Sequence, residues 1–267
     1  MHRIGFFVNS LKPAAAAARE RLSAAAERLG LEVADAPKGA DAVIALGGDG
    51  TILKCVHEFP GAAVLGFNLG GLGYLSSVEA RDFERALASL AEGRFRLVQR
   101  TMLEVRGGDG SVGLALNDVV FSRELTGHAA ALELTVDGRT AADYLADGIV
   151  IATPTGSTAY SLAAGGPVLM PDTASFVVTP MNPHALGVRP MVVPDGVSLT
   201  VTLRRRTGGR AERVGVYADG ENVMTLVPDE PAVLVRSPQT ARFVELEGSD
   251  PYAVLSRKLG WPGANVK

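Results

Sequence analysis

Short apolar runs alternate with longer segments of helical period through the first hundred residues. Residues 4–9, 31–34, 42–46 and 63–68 each form a compact apolar stretch too short for a helix, and the spacing predicts strands there. Between them lie an alanine-rich segment (14–26) broken by Arg19, Glu20 and Arg21, a stretch from Thr51 onward, and a helical pattern over 81–92. The alanine-rich segment reads as an amphipathic surface helix rather than a leader. Strand alternating with helix predicts a parallel sheet with helices on its faces.

Near Arg100 the period changes to two. Residues 132–136, 198–203 and 232–235 alternate apolar with polar, and Asp-Gly pairs stand at Asp109-Gly110, Asp137-Gly138 and Asp219-Gly220. Asp-Gly between alternating runs is a hairpin signal, so a mostly antiparallel all-β domain is expected. A helical segment over 251–259 closes the pattern. The expected organisation is an α/β domain over 1–100, a β domain over 101–250, and a tail over 251–267 that returns to the first domain. No internal repeat or low-complexity linker interrupts it.

Composition narrows the picture without changing it. Across 267 residues the apolar share is 47%, enough for a sizeable core. A net charge of -3 gives no electrostatic case for nucleic acid or an anionic membrane, and no uncharged run is long enough to cross a bilayer. The single cysteine, Cys55, excludes an internal disulfide framework and fits a reducing, cytoplasmic setting. Its neighbours Ile52, Leu53 and Val56 favour a core thiol over a nucleophile. Arg204, Arg205, Arg206, Arg210 and Arg213 straddle a Thr-Gly-Gly turn and read as a solvated hairpin tip.

The candidate chemistry starts where the strand over 42–46 ends in Gly47-Gly48-Asp49-Gly50-Thr51. Glycines admit a sharp turn and close approach of a ligand to backbone. A following helix would point free N–H groups and its positive dipole end at the same loop, which suits phosphate. Asp49 does not fit phosphate binding alone, since a carboxylate repels phosphate unless it takes a proton or meets a metal. A capping aspartate at an ordinary strand–helix corner is the plain alternative.

Two stretches of the second half add polar groups to apolar surroundings. Residues 114–121 read as one continuous strand holding Asn117 and Asp118. An amide can pair with the edge of adenine and a carboxylate can accept from ribose hydroxyls, although a bulge would explain the same residues. Residues 144–160 run from a strand through Asp147-Gly148 into a hydroxyl-rich Pro/Gly turn, with Ser157 or Thr158 placed to cap a helix. His184 reads as a satisfied loop histidine. No Walker A loop, no dinucleotide fingerprint after the first strand, no Cys/His cluster and no Gly-x-Ser-x-Gly occurs.

Taken in order, these motifs resemble bacterial NAD kinases over nearly the full length. The Gly47–Thr51 loop, the glycine segment from Asn68 to Leu75, the Asn117-Asp118 pair, Asp147-Gly148, the 153–160 turn, Gly165-Gly166-Pro167, Pro183-His184, Arg189-Pro190 and the ending Ser256-Arg257-Lys258-Leu259-Gly260-Trp261 all match. Three positions depart from the pattern. Tyr74 stands where phenylalanine is common, Asp118 is one carbon shorter than the usual Glu, and Leu145 stands where some members carry a basic residue.

The resemblance implies transfer of a phosphoryl group from ATP to the adenosine 2′-hydroxyl of NAD, with a divalent metal, magnesium, carried by the nucleotide, in a cytoplasmic homo-oligomer (tetramer or dimer). Asp49 would be the general base. Backbone at Gly48, Gly50 and Thr51 would contact phosphate, with Lys54 one turn into the helix and Asn68 and Tyr74 from the second glycine segment. Asn117 and Asp118 would hold the adenosine. Asp147 with Ser157, Thr158, Ala159, Tyr160, Ser161, Leu162 and Ala163 would hold the rest of the dinucleotide, and Glu221 with Asp219 would reach in from a neighbouring turn. The two groups of residues are expected to form the halves of one interdomain cleft. Diacylglycerol-type lipid kinases carry a related Gly-Gly-Asp-Gly loop, and a non-catalytic dinucleotide sensor would carry the same binding residues. Both remain alternatives at this point.

Overall fold

The structure, a computed structural model, describes residues 1–8, 13–70, 73–76, 78–124, 128–205 and 213–261. It divides into two units, Met1–Gln99 with Ala241–Lys267, and Arg100–Thr240.

The first unit contains β1 (Arg3–Val8), α1 (Pro13–Arg28), β2 (Glu32–Val33), β3 (Ala42–Leu46), α2 (Asp49–Glu58), β4 (Ala63–Asn68), β5 (Val78–Glu79) and α3 (Phe83–Ala91). The strands pair in parallel in the order β2-β1-β3-β4-β5. Every residue of β3 and β4 is buried, as a parallel sheet covered on both faces requires. Ile44, Leu46, Leu65 and Phe67 on one face pack with Leu22 of α1 and Phe83 and Leu87 of α3, and Phe67 stacks on Phe83 with centroids 4.5 Å apart. On the other face Gly66 lies beneath α2, where a side chain would come within 2.3 Å of Ile52 Cδ1. Cys55 is fully buried in α2, and burial pushes its thiol up to about 12, so it is a core thiol as expected. The expected end of the first strand, Asn9, lies outside the described residues.

The second unit holds the later part of β6 (Phe95–Gly107), from Arg100 on, with β7 (Val112–Ala115), β8 (Asp118–Arg123), β9 (Ala130–Val136), β10 (Arg139–Ala146), β11 (Gly148–Ala152), α4 (Tyr160–Ala163), β12 (Ser175–Met181), β13 (Met191–Pro194), β14 (Leu199–Leu203), β15 (Val214–Ala218), β16 (Glu221–Leu226) and the first part of β17 (Pro231–Leu246). One antiparallel sheet runs β13-β12-β11-β8-β15-β16, and another contains β10-β9-β14-β17. Their facing side chains, among them Phe121, Ile149, Ile151 and Phe176 from the first and Leu132, Leu134, Val201 and Leu234 from the second, share one core. Asp137-Gly138 and Asp219-Gly220 have positive φ at both residues (48° and 75°, 48° and 87°), the requirement of a two-residue hairpin turn. At the third expected hairpin only Gly110 is left-handed (87°), and the loop closes between Gly107 and Ser111.

The chain leaves the second unit inside β17. Residues 231–234 pair with β14, whereas Arg242 and Phe243 pair with β4 of the first unit. The return therefore starts at Ala241 rather than at Pro251, because one long strand serves both units. The final helix α5 (Pro251–Lys258) starts at a capping Asp250 whose carboxylate accepts from the N–H groups of Tyr252 and Ala253, followed by proline at its first position. Arg257 pairs with Glu79 at 3.2 Å and Lys258 lies 5.5 Å from the Tyr74 ring centroid. Through these contacts α5 lies against residues of the first unit, while 262–267 of the expected tail lie outside the described residues. Arg204, Arg205 and Arg213 are exposed, while Arg206 and Arg210 of the expected basic tip lie outside the described residues. Among the described residues no helix is long and apolar enough to cross a membrane.

Candidate active site

The loop after β3 is shaped by what its glycines leave room for. A side chain on Gly47 would lie 2.2 Å from Thr51 Oγ1, so the buried Thr51 side chain folds back over that glycine. Helix α2 begins at Asp49, two residues before the expected start, because both Thr51 and Ile52 donate their N–H to the Gly48 carbonyl. Thr51 therefore has its N–H committed within the helix, and the first-turn amides of Asp49 and Gly50 are the ones left for an anion.

Asp49 is half-buried, and its carboxylate is held from across the sheet edge. Oδ2 accepts the Tyr74 N–H at 2.8 Å, while Oδ1 accepts the Leu75 and Ser76 N–H groups at 3.1 and 3.2 Å and lies 3.4 Å from Ser76 Oγ. Gly73 is obligatory here, since a Cβ would sit 1.9 Å from Oδ1. Burial, and then the Asp49 charge, raise the Tyr74 phenol above its usual range. The second glycine segment thus meets Asp49 directly, although Gly71 and Leu72 lie outside the described residues. Asn68 is 3% exposed, with its amide oxygen taking the Gly70 N–H and its amide nitrogen donating to Ser76 Oγ. Through these bonds Asn68 supports the loop. Lys54 is exposed on α2.

The second unit builds its polar group by breaking a strand. The expected continuous strand over 114–121 is interrupted at Leu116-Asn117, between β7 and β8. The break turns three consecutive amides out of the ladder, and the Asp219 carboxylate collects all of them: Leu116 N–H at 2.7 Å, Asn117 at 2.8 Å and Asp118 at 3.2 Å. Thr153 docks on the same break, donating its N–H to the Asn117 carbonyl and its hydroxyl to that of Leu116. Gly156 lies so close to Asn117 that a Cβ would fall 2.0 Å from its carbonyl oxygen.

Asp118 is 6% exposed, and its carboxyl is pushed up to about 7. Burial is the main cause and the Asp219 charge adds to it, while a hydrogen bond from the Tyr160 N–H opposes both. Of the two carboxylates expected from this turn, Asp219 is set against the pair and Glu221 is exposed.

The hydroxyl-rich turn divides into an inner and an outer set. Ser157 donates to the Pro154 carbonyl at 2.7 Å and accepts the Leu169 N–H at 2.9 Å, and Ser161 pairs with Thr179 at 2.8 Å, all buried. These two hydroxyls are engaged within the turn and hold its shape. The residue before α4 is Ala159, with no side-chain cap, so neither Ser157 nor Thr158 caps that helix. Thr158 and Leu162 are half-buried, while Ala159, Tyr160 and Ala163 are exposed. Asp147, also half-buried, pairs with Arg123 Nε at 2.8 Å and accepts from Asn182 at 3.0 Å. Arg123, missed in the sequence, is the cation paired with Asp147, and Leu145 is 37% exposed. His184 is exposed and gives its N–H to the Leu145 carbonyl.

Comparison with known proteins settles what this arrangement belongs to. The family model described as the ATP-NAD kinase N-terminal domain matches residues 14–95, and that of the C-terminal domain matches 116–246. A protein named NAD kinase from Symbiobacterium thermophilum is 41% identical over 88% of this chain and 86% of its own. The chain belongs to the ATP-NAD kinase family. Another family member, named NAD kinase, from Gemmatimonas aurantiaca is 40% identical over 84% of this chain and 78% of its own. An Archaeoglobus fulgidus NAD kinase solved in complex with ATP superposes with a TM-score of 0.80 at 26% identity, covering 98% of this chain and all of that one. Yeast NADH kinase solved with NADH, at 23% identity, shares the fold with a TM-score of 0.86 over 99% of this chain and 89% of its own.

Proposed function

We propose that this kinase phosphorylates the adenosine 2′-hydroxyl of NAD, with ATP as donor, to give NADP. The Asp49 carboxylate carries the reading: it is held by three amides beside the N-terminus of α2, in a chain of this family. In the proposed step the 2′-hydroxyl gives its proton to Asp49 as its oxygen bonds to the γ-phosphorus, and the bond to the β,γ-bridging oxygen breaks to release ADP. A positioned base contributes roughly a hundred- to ten-thousand-fold. Asp49 and Gly50 N–H groups at the start of α2 favour the donor phosphates. Asn117 is assigned to the adenine edge, and Asp118 to ribose hydroxyls when ionised, with Asp147, Thr158, Ala159, Tyr160, Leu162 and Ala163 assigned to the remainder of the dinucleotide.

The proposal includes a divalent cation carried by the nucleotide phosphates, with no residue of the chain assigned to it. When bound it neutralises charge on the transferred phosphoryl group. The proposal includes a cytoplasmic homo-oligomer, checked by light scattering of the purified protein.

The test is Asp49→Asn in an NADP-formation assay. The variant is expected to fold and bind NAD while turnover falls at least about a hundredfold, and near-wild-type turnover would remove Asp49 from its role. Parallel incubations with diacylglycerol, with NADH and with polyphosphate decide between acceptors and donors. NAD binding in the wild type with no product from any donor would leave the sensor reading.

A further inference from the structure

One hydroxyl behind the proposed base has no part in the chemistry above. Ser76 is 1% exposed, and its Oγ accepts from Asn68 Nδ2 at 2.8 Å and from the Gly73 N–H at 2.9 Å. A serine hydroxyl has two acceptor lone pairs and one proton. Both lone pairs are engaged, so the proton must find an acceptor, and Asp49 Oδ1 stands 3.4 Å away. The direction is set one residue further back. Gly70 N–H donates to Asn68 Oδ1 at 2.8 Å, so the Asn68 amide can present only its NH₂ to Ser76.

The result is an uneven load on the carboxylate. Oδ1 collects the Leu75 N–H, the Ser76 N–H and the Ser76 hydroxyl, whereas Oδ2 collects the Tyr74 N–H. We infer that Ser76, oriented by Asn68, is a positioning residue for phosphoryl transfer: its hydroxyl proton saturates Oδ1 and fixes the rotation of Asp49, leaving Oδ2 to receive the proton of the acceptor hydroxyl. This rests on Asp49 being the base. A carboxylate free to rotate about its χ2 angle would spend part of its time with neither oxygen correctly presented, and the loss would appear in turnover rather than in binding.

The experiment measures kcat and KM separately for Ser76→Ala, Ser76→Thr, Asn68→Asp, Asp49→Asn and the Asp49→Asn/Ser76→Ala double variant, alongside thermal melts. Ser76→Ala is expected to lower kcat roughly ten- to a hundredfold, the scale of one hydrogen bond to a charged group, with KM for both substrates changed less than about twofold. Ser76→Thr, which keeps the hydroxyl, restores turnover to within about threefold. Asn68→Asp retains Ser76 but offers its proton a second carboxylate, and lowers kcat by a comparable factor. With Asn at position 49, removing the hydroxyl changes the residual rate less than about twofold, since the two residues act as one unit. A hydroxyl that merely supported the fold would cost the same in both backgrounds and lower the melting temperature in both. Unchanged kcat in Ser76→Ala, or equal losses in the two backgrounds, overturns the inference while leaving the base in place. Full turnover in Asp49→Asn overturns the base, and the inference with it.

Discussion

Two aspartates, one in each unit, do the same structural work in different electrical company. Asp49 gathers the N–H groups of Tyr74, Leu75 and Ser76, and Asp219 gathers those of Leu116, Asn117 and Asp118. In each case three consecutive amides have left regular pairing, and a carboxylate able to accept several hydrogen bonds satisfies them at once. The surroundings then diverge. Asp49 stands in the first turn of α2 with a hydroxyl against Oδ1. Asp219 sits in a tight turn with a second, buried carboxylate as its neighbour. The contacts on the Asp49 carboxylate are backbone amides and one hydroxyl. Beside Asp219, burial first and the neighbouring charge second push the Asp118 carboxyl up to about 7.

The most severe way to break the first clamp is to add one carbon. Gly73→Ala would place a methyl 1.9 Å from Asp49 Oδ1 and 2.3 Å from Ser76 Oγ, distances that force the carboxylate out of its seat. Turnover is expected to fall at least about a hundredfold, matching Asp49→Asn, with NAD binding by calorimetry retained. Turnover within a few-fold of wild type would mean that the amide clamp is dispensable to the base.

Breaking the second clamp should act on binding instead. Asp219→Asn keeps a residue that tolerates the left-handed turn (φ 48°) but has one acceptor oxygen for three amides. At least one buried donor is left short, at a cost of about 1–3 kcal/mol. KM for NAD is expected to rise roughly tenfold or more with kcat little changed. A kcat-only effect would contradict the division of labour between the two aspartates.

How far the sequence reveals these devices follows from their range. Strands β3 and β4 are legible to the residue, because apolar runs bounded by glycine permit little else. The Asp137 and Asp219 turns and the Asp250-Pro251 helix start are equally local. The clamp on residues 116–118 is not legible, since its carboxylate comes from about a hundred residues away. Without it, Leu114 to Phe121 looks like one strand, as every flanking residue favours a strand. The hydroxyl turn misleads for a related reason. Composition counts hydroxyls but not their direction, and Ser157 and Ser161 point inward to hold the backbone. Ser76 carries no local signal at all.

The Asp118–Asp219 contrast can be sharpened by pH. The Asp118 carboxyl titrates at about 7 in the folded chain, against 3.8 for an unperturbed aspartate. Between those values the folded state holds a proton that the unfolded state has released, so stability falls as pH rises through the window. Asp118→Asn removes that penalty. It is expected to stabilise the protein by roughly 2–4 kcal/mol at about pH 8, with the gain vanishing near pH 4, measured by denaturant unfolding across the range. In Asp219→Asn the neighbouring charge is gone, and the Asp118 midpoint should move below 7. A midpoint unmoved by that substitution would assign the whole shift to burial.

The smallest expected effect concerns what lies on the first clamp from outside. Lys258 of the returning helix α5 stands over the ring of Tyr74, whose N–H is the donor to Asp49 Oδ2. An ammonium over an exposed aromatic contributes about 0.5–1 kcal/mol, and α5 has no buried residue to add to it. The clamp itself is made of backbone amides, with Gly73 and Asn68 fixing the segment from within. Lys258→Ala should therefore lower the melting temperature by only about 1–4 °C and change kcat less than about threefold. A loss approaching that of Gly73→Ala would show that the tail, and not the amide clamp, sets the position of Tyr74 and through it Asp49 Oδ2.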